Sequence, residues 1–316
     1  MTKARRDFAG YRDRLPVACW PNGASVAVSI VVNIEEGAEL SLSEGDERNE
    51  CIYEAVECIE GVPDPCMESH FEYGPRAGWP RIRAALRKRG IPATLNACGR
   101  ALEATPWIAT EAISDGHEVA AHGWRWEKHA GMDEMTERGA ILRAVSAIEQ
   151  IVGSPPIGWH TRSATSVRTR ALLVEQGGFL YDSNAYNDDI PYTVETANGP
   201  HVILPYAFDT NDMRFYNSGG FVFGEDFARY CNAALDRLMD EAGDAPRMLS
   251  IGLHTRIIGR PARIGGLEAF LDHALRSQSV WFATRADIAR TWRHVIGLEE
   301  WAPRSCSAHF LKGAPE

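Results

Sequence analysis

The sequence lacks several features that would assign it to common protein classes. No run of about 18 apolar residues occurs, so no membrane span is predicted. No apolar segment follows the basic start at residues 1–12, so no secretory signal is predicted. Basic residues are the minority, since 33 Lys and Arg stand against 43 Asp and Glu, with a net charge of -10. This balance opposes the positive surface that nucleic-acid binding needs, and neither nucleic acid nor membrane is an expected partner.

Cysteine is sparse and irregularly placed. The 7 cysteines are an odd number at uneven spacings, which does not indicate a disulfide framework. Cys51, Cys58 and Cys66 lack the close pairs typical of structural zinc sites, so we expect unlinked thiols. A reducing, cytoplasmic location fits this usage best.

Motifs for nucleotide and serine chemistry are also missing. No G-x-G-x-x-G follows the first predicted strand, and no G-x-x-x-x-G-K-[ST] is present. No G-x-S-x-G elbow occurs either. Cys98 ends a predicted strand and could be a thiolate nucleophile, but such a cysteine is more often a small buried residue.

The chain does contain short apolar strands that alternate with amphipathic helices. Strands are predicted at 25–32, 93–97, 117–121, 157–159, 179–181, 201–207, 248–254 and 280–283. Helices are predicted at 51–59, from residue 80 to just before Gly90, and at 106–114, 132–152, 165–175, 225–241 and 266–275, with a final helix after the last strand. Seven or eight such units are enough to close a parallel α/β barrel, with a doubly wound sheet as the alternative. No linker divides the chain, so one domain over residues 1–316 is predicted.

Polar and titratable residues follow the predicted strands where each one ends. They are Glu35, Glu36, His122, His160, Arg162, Asp182, Asn184, Asn211, His254 and Arg256. The carboxyl ends of parallel strands meet at one rim, where the active site of such folds lies. His117 begins its strand, so it belongs at the opposite end and is interpreted as structural.

These residue types are suited to acid–base chemistry. Two neighbouring carboxylates repel, which raises the pKa of one and makes Glu35 or Glu36 a usable base; a solvated acidic turn is the alternative. A carboxylate such as Asp182 near His254 would raise the imidazole pKa and suit a general acid. Arg256, with the basic residues after it, could bind a substrate carboxylate or form a subunit contact.

A metal site has incomplete support from spacing. Glu36 and His122 supply only two of the usual three protein ligands, because Trp126 stands four residues after His122 where a second histidine would complete a pair. His129 lies seven residues after His122 and could reach back, which the spacing leaves open.

Several segments carry a resemblance to a known family. Residues 33–37, Asn-Ile-Glu-Glu-Gly, stand where polysaccharide deacetylases have Thr-Phe-Asp-Asp-Gly, and the segments 181–192, 209–215 and 253–261 are typical of one branch. The chain resembles the polysaccharide deacetylase family over nearly its whole length, and within it the metal-independent allantoinases and cyclic-imide hydrolases. Residues matching the family's motif positions are His122, Arg162, Asp182 and His254, with Trp126 in place of the second metal-binding histidine.

The resemblance implies both a fold and an activity. The fold is a distorted (β/α) barrel with seven or eight parallel strands. The expected reaction is hydrolysis of a non-peptide amide C–N bond in a small cyclic ureide or imide. Glu35 would be the base, Arg162 an oxyanion donor and His254 the acid, with Glu36, His122 and Asp182 completing the catalytic set. The expected substrate-binding residues are Trp126, His160, Asn184, Asn211 and Arg256. No cofactor is expected. The protein is expected to form a homo-oligomer.

Two other interpretations stay open. One is a metal-dependent carbohydrate N-deacetylase in which Glu36, His122 and His129 hold zinc. The other is a non-catalytic binding protein on a barrel that has lost its activity. Two departures from the branch, His70 and His160, fall in segments expected to line the pocket and leave the substrate open.

Overall fold

The computed structural model describes residues 6–12, 14–52, 54–55, 57–162, 164–243, 245–304 and 310. Its strands are β1 (Val26–Ile34), β2 (Thr94–Ala97), β3 (Glu118–Ala121), β4 (Gly158–Trp159), β5 (Tyr181–Asp182), β6 (Tyr192–Thr196), β7 (Gly199–Ile203), β8 (Arg247–His254) and β9 (Val280–Phe282). Its α-helices are α1 (Pro65–Tyr73), α2 (Trp79–Arg87), α3 (Gly99–Ala104), α4 (Pro106–Ser114), α5 (Glu134–Val152), α6 (Thr169–Gln176), α7 (Gly224–Glu241), α8 (Pro261–Ala274) and α9 (Arg285–Val295). Short 3-10 helices cover Pro21–Gly23, Leu42–Glu44 and Asp212–Phe215, and a π-helical turn, Gly74–Gly78, joins α1 to α2.

The strands form one curled sheet that is almost entirely parallel. Their order is β6-β7-β5-β4-β3-β2-β1-β8, with β9 beside β1, which makes a 9-stranded sheet. Among the described residues only β6 pairs antiparallel, with β7. An isolated parallel bridge between Asn211 and Gly252 brings the segment after β7 against β8, so the sheet curls back toward itself. The predicted distorted α/β barrel is confirmed, and one domain over residues 1–316 stays a prediction.

β1 lies in the middle of the sheet and sets the position of the site. All of its residues are buried, as expected for a strand covered on both faces. It pairs with β8 along its whole length and with β2 at its carboxyl end, where Asn33 lies beside His254 in register. The carboxyl ends of β1 and β8 therefore meet at the same rim.

The helices pack against the sheet, and most of those that were predicted begin and end within two residues of the predicted positions, but α6 begins four residues later than predicted and α8 five residues earlier. In α5, the side chain of Asp133 accepts the backbone N–H of Thr136, and Gly153 ends the helix with φ 84. Ile141 and Ile148 of α5 are fully buried in the core. None of the described helices is both long enough and apolar enough to cross a membrane.

The segment at 51–59 differs from the prediction. Its described residues form no helix, and Val56 lies outside them. Cys51 and Cys58 are joined by a disulfide, so the expectation of unlinked thiols is wrong for this pair. Glu54 in this segment is bound by an arginine distant in sequence, Arg256, and this long-range contact outweighs the local helical pattern.

The helices α1 and α3 and the strand β6 were not predicted. α1 begins with Asp64, whose side chain accepts the N–H of Met67, followed by a proline at the first helical position, so a start signal was present among polar residues. The strand predicted at 201–207 forms β7, but it ends earlier than expected, at Ile203. It pairs with β6 as a hairpin.

Two glycines allow the turn between α1 and α2 to pass close to the rim. A Cβ on Gly74 would lie 2.5 Å from the Glu36 carboxyl carbon, and a Cβ on Gly78 would lie 1.9 Å from the carbonyl oxygen of Thr255. Side chains at these positions would therefore clash. The turn covers Glu36 from outside.

Candidate active site

A cavity of about 330 Å³ opens at the carboxyl ends of the strands. Seven predicted site residues line it: Glu35, His122, Trp126, His160, Arg162, Asn211 and His254. Four do not: Glu36, Asp182, Asn184 and Arg256. Asn33, Lys128 and Tyr206 also line the cavity and were not among the predicted site residues. The strand ends thus bring most of the predicted groups to one place.

Glu35 lies at the wall of this cavity between two imidazoles. Its Oε1 is 3.4 Å from Nε2 of His122 and 3.5 Å from Nε2 of His254, and its Oε2 is 2.8 Å from Nη1 of Arg256. Burial alone would raise the pKa of Glu35, but the charges of His254 and Arg256 hold this pKa well below its usual value. Glu35 is therefore an ionised carboxylate.

His254 is held by an acid that the sequence did not single out. Its Nδ1 lies 2.6 Å from Oδ1 of Asp212, and Asp212 Oδ2 accepts the backbone N–H groups of His254 and Ile258. Burial alone would lower the pKa of His254, but Glu35 and Asp212 raise this pKa to about 10. The imidazole is therefore protonated at both nitrogens, with Nε2 directed toward Glu35. Asp212 lies inside the family-specific segment 209–215, which was the available signal.

Asp182 does not occupy the position next to His254 that was considered for it. Its carboxylate accepts from Arg170 Nε at 2.8 Å, from the backbone N–H of Asn184 at 3.0 Å and lies 3.1 Å from His201 Nε2. Burial would raise the pKa of Asp182, but His201 and Arg170 hold it below its usual value. The Asn184 side chain accepts the backbone N–H of Thr161, so both residues support the strand ends rather than line the cavity.

His122 and His160 stack on each other beside Glu35. His122 Nδ1 lies 2.7 Å from the carbonyl oxygen of His160, which can only accept, so this nitrogen carries a proton. The two rings are 5.2 Å apart and nearly parallel. At the other end of β3, His117 Nδ1 accepts the backbone N–H of Ala93, which fits the structural role predicted for it.

Arg162 and Trp126 form one wall of the cavity. The Arg162 guanidinium lies 3.4 Å above the Trp126 ring, donates to the carbonyl of Trp126 at 2.7 Å and to Glu50 at 3.1 Å. Both terminal nitrogens of Arg162 thus have protein partners. Its role as an oxyanion donor stays a prediction.

Arg256 and Glu36 lie behind Glu35. Arg256 is fully buried and donates from Nε to Glu54 at 2.8 Å as well as to Glu35. Glu36 accepts the Thr255 hydroxyl and, at 3.2 Å, the backbone N–H of Glu35. Arg256 therefore positions the Glu35 carboxylate and does not line the cavity.

Residues 60–179 match the family model described as polysaccharide deacetylase. A relative from Schizosaccharomyces pombe, named provisionally as a polysaccharide deacetylase, is 37% identical over 294 residues, covering 86% of this chain and 92% of the relative. The chain belongs to the polysaccharide deacetylase family.

Two solved structures of this kind share the fold. A probable polysaccharide deacetylase from Pseudomonas aeruginosa PAO1 is 44% identical, with a TM-score of 0.88 over 92% of this chain and 98% of that one. The PuuE allantoinase is 41% identical, with a TM-score of 0.88 and the same coverage of 92% and 98%. The predicted polysaccharide deacetylase fold is confirmed, as is the predicted class of hydrolases that act on non-peptide C–N bonds.

Polysaccharide deacetylases often use a metal ion, so the donor set at the corresponding positions matters. Trp126 offers no donor atom where a second histidine would stand. Both oxygens of Glu36 already accept hydrogen bonds, and the Arg256 guanidinium lies 3.6 Å from this carboxylate. Within the described part of the chain, no three His, Cys, Asp or Glu side chains are arranged to hold a metal ion. The residues present do not fit the family's metal site.

His129 was considered as a metal ligand and Cys98 as a nucleophile, and both are buried away from the cavity. His129 Nδ1 lies 3.2 Å from Glu137, and its ring packs against Trp159. Cys98 is in the core, and burial raises the pKa of its thiol well above the usual value, so it is no thiolate. Neither residue is placed to take part in chemistry at Glu35.

Proposed function

We propose that this member of the polysaccharide deacetylase family hydrolyses a non-peptide amide bond in a small cyclic ureide or imide. The observation that carries the proposal is the Glu35–His254 pair at the cavity. One member is an ionised carboxylate and the other a protonated imidazole, with Oε1 and Nε2 only 3.5 Å apart. Two groups whose environments push their pKa values apart are suited to act as base and acid in one reaction.

The proposed reaction consumes one water and regenerates both groups. Glu35 takes a proton from water as the water oxygen attacks the substrate carbonyl carbon. The C–N bond of the tetrahedral intermediate then breaks, and the departing nitrogen takes the Nε2 proton of His254. The proton on Glu35 finally passes to His254 across the 3.5 Å between them. Proton transfers of this kind each contribute about a hundredfold to ten-thousandfold.

The surroundings of the pair support this division of roles. Asp212 fixes the His254 ring through Nδ1 and leaves Nε2 toward the cavity, as an orienting carboxylate does in other acid–base pairs. Arg256 holds Oε2 of Glu35, so Oε1 is the oxygen available to water. In this proposal Glu36 and His122 are hydrogen-bonding residues rather than metal ligands.

A substrate panel tests the proposal. Purified protein is incubated with allantoin, succinimide, hydantoin and N-acetyl sugar oligomers, and ring opening is measured by mass spectrometry as the gain of one water. We expect at least one cyclic amide to be opened, without loss of rate after treatment with a chelator. No turnover of any cyclic amide, or a rate restored only by added zinc, would contradict the proposal.

The names of relatives favour a second candidate function. A peptidoglycan deacetylase from Helicobacter pylori is 26% identical over 266 residues, covering 73% of this chain and 88% of that protein. Deacetylation of an acetamido sugar is therefore the alternative. Acetate release from the sugar oligomers, together with zinc content measured on the same sample, distinguishes the two.

The size of the cavity, about 330 Å³, supports a small-molecule substrate. A homo-oligomer and a cytoplasmic location remain predictions. Light scattering on the purified protein measures the first.

A further inference from the structure

Tyr206 has a hydroxyl proton that no described residue accepts. Its Oη accepts an N–H from Asn33 at 3.1 Å and a longer one from Asn211 at 3.5 Å. The Asn33 amide cannot be reversed, because the same nitrogen donates to the carbonyl of Leu253. The Asn211 amide cannot be reversed either, because its oxygen accepts the backbone N–H of Met213. A phenol oxygen has two lone pairs and one proton, so with both lone pairs facing amides its proton is left for the cavity.

Tyr206 shares its cavity with the proposed acid–base pair. Tyr206 lines the same cavity as Glu35 and His254, and Asn33, which holds its oxygen, lies beside His254 in the strand register. Burial raises the pKa of Tyr206, so the phenol stays protonated. Tyr206 is therefore a donor at the place where a substrate carbonyl must be polarised.

His160 lies beside Tyr206 and offers a hydrogen-bond acceptor instead of a donor. Its Nδ1 lies 3.1 Å from the carbonyl oxygen of Ser183, which can only accept, so Nδ1 carries the proton. Burial, with the charges of His122 and Arg285, holds the pKa of His160 well below its usual value, so the ring is neutral. Its Nε2 is then a bare acceptor. His160 lines the same cavity, and its ring centre is 4.6 Å from that of Tyr206.

We propose that Tyr206 and His160 form a donor–acceptor pair that binds the carbonyl oxygen and the adjacent N–H of a cis amide. In a small ring the C=O and N–H point to the same side, so one wall of a cavity can bind both. An open-chain secondary amide is almost always trans, with C=O and N–H on opposite sides, and cannot meet both partners at once. This inference rests on the proposed function and narrows its substrates to rings with an unsubstituted amide N–H.

A kinetic experiment tests each partner separately, with succinimide and N-methylsuccinimide as probes. Tyr206→Phe removes only the hydroxyl, and we expect kcat/KM for succinimide to fall by about a hundredfold to a thousandfold, with KM raised because the bound carbonyl loses its donor. The wild type is expected to prefer succinimide over its N-methyl analogue by at least about a hundredfold in kcat/KM, and His160→Phe to remove most of this preference. Tyr192→Phe is the matched control, since it removes a hydroxyl that binds Asn187 outside the cavity, and it is expected to behave as wild type.

A binding experiment keeps this inference separate from the proposed function, because it needs no turnover. Saturation-transfer NMR on the wild-type protein compares 2-pyrrolidinone, a cis amide, with N-methylacetamide, a trans amide. Binding of the lactam only, its loss in Tyr206→Phe, and unchanged binding in Tyr192→Phe support the pair even if no cyclic amide is hydrolysed. Equal binding of both amides would overturn the pair while leaving the hydrolase proposal standing. Ring opening at wild-type rates in both Tyr206→Phe and His160→Phe would do the same.

Discussion

Two of the buried clusters in which a carboxylate meets arginine and histidine, one at Glu35 and one at Asp182, differ in that only the Glu35 cluster faces the cavity. Glu35 meets Arg256, His122 and His254, whereas Asp182 meets Arg170 and His201. Both carboxylates are almost completely excluded from solvent, with side-chain exposures of 2% and 0%. The pKa of each carboxyl lies below its usual value because cations surround it.

The clusters differ in how fully the carboxylate is satisfied. The oxygens of Asp182 accept from Arg170 and from the backbone of Asn184 at 2.8 to 3.2 Å, within the ordinary hydrogen-bond range. Oε1 of Glu35 has its two imidazole neighbours at 3.4 and 3.5 Å, which is longer than that range. Glu35 can therefore still accept from a water in the cavity. A charged pair with residual accepting capacity is suited to catalysis, and one without it is structural.

The largest expected effect comes from neutralising Glu35. Glu35→Gln should lower kcat by about a thousandfold, because the base is lost. The fold should survive, since Arg256 keeps Glu54 and Glu36 as partners. Steady-state kinetics and a thermal melt measure the two effects. Activity within tenfold of wild type would remove Glu35 from the mechanism.

Asp212→Asn should lower kcat by about a hundredfold and change the pH profile. His254 acts as the acid only while protonated, and the negative charge of Asp212 contributes to raising its pKa to about 10. Removing that charge lowers the pKa, so the decline of kcat/KM at high pH should begin at a lower pH than in the wild type. A pH–rate profile measures this shift. An unchanged basic limb would show that another group is the acid.

Asp182→Asn should affect stability and not chemistry. Breaking a buried pair leaves Arg170 and His201 without their acceptor, and we expect the free energy of unfolding to fall by about 3 kcal/mol. Since the pKa of Asp182 is lowered by folding, its stabilisation is present above about pH 4 and is lost as the pH falls below that. Urea unfolding at neutral and acid pH measures this difference. A large loss of kcat with unchanged stability would instead make Asp182 a member of the catalytic set.

The smallest effect is expected for Glu54→Gln. Glu54 accepts from Arg256 Nε at 2.8 Å, and this contact holds the guanidinium against Glu35. Weakening one charge-assisted bond should lower kcat by less than about tenfold, with KM unchanged. Glu72→Gln, which alters an exposed ion pair with Arg76, serves as the matched control in the same assay.

Much of the fold could be predicted from local patterns. β8 ends at His254 and α4 covers Pro106–Ser114 as predicted, because apolar periodicity and a proline at the helix start are local signals. The helix predicted at 51–59 was wrong because the conformation of this segment depends on partners far along the chain, among them Arg256. Its apolar spacing carried no information about those partners.

The candidate site could be predicted only in its components. The positions of Glu35, His122 and His254 after apolar strands place them at one rim. Their partners could not be assigned, since Asp182 and Asp212 both follow strand segments and both are acids. Tyr206 was missed because its capacity to donate into the cavity depends on two side-chain amides that donate to its oxygen.

Sequence alone therefore settles which chemical groups stand at the ends of the strands, because strand length and apolar pattern are local properties. Which acid meets which cation is decided by the tertiary structure. Asp212 reaches His254 across 42 residues of chain, and Arg256 reaches Glu35 across 221. Contacts of that kind exist only once the sheet has curled and the register of β1 and β8 has brought the two strand ends side by side.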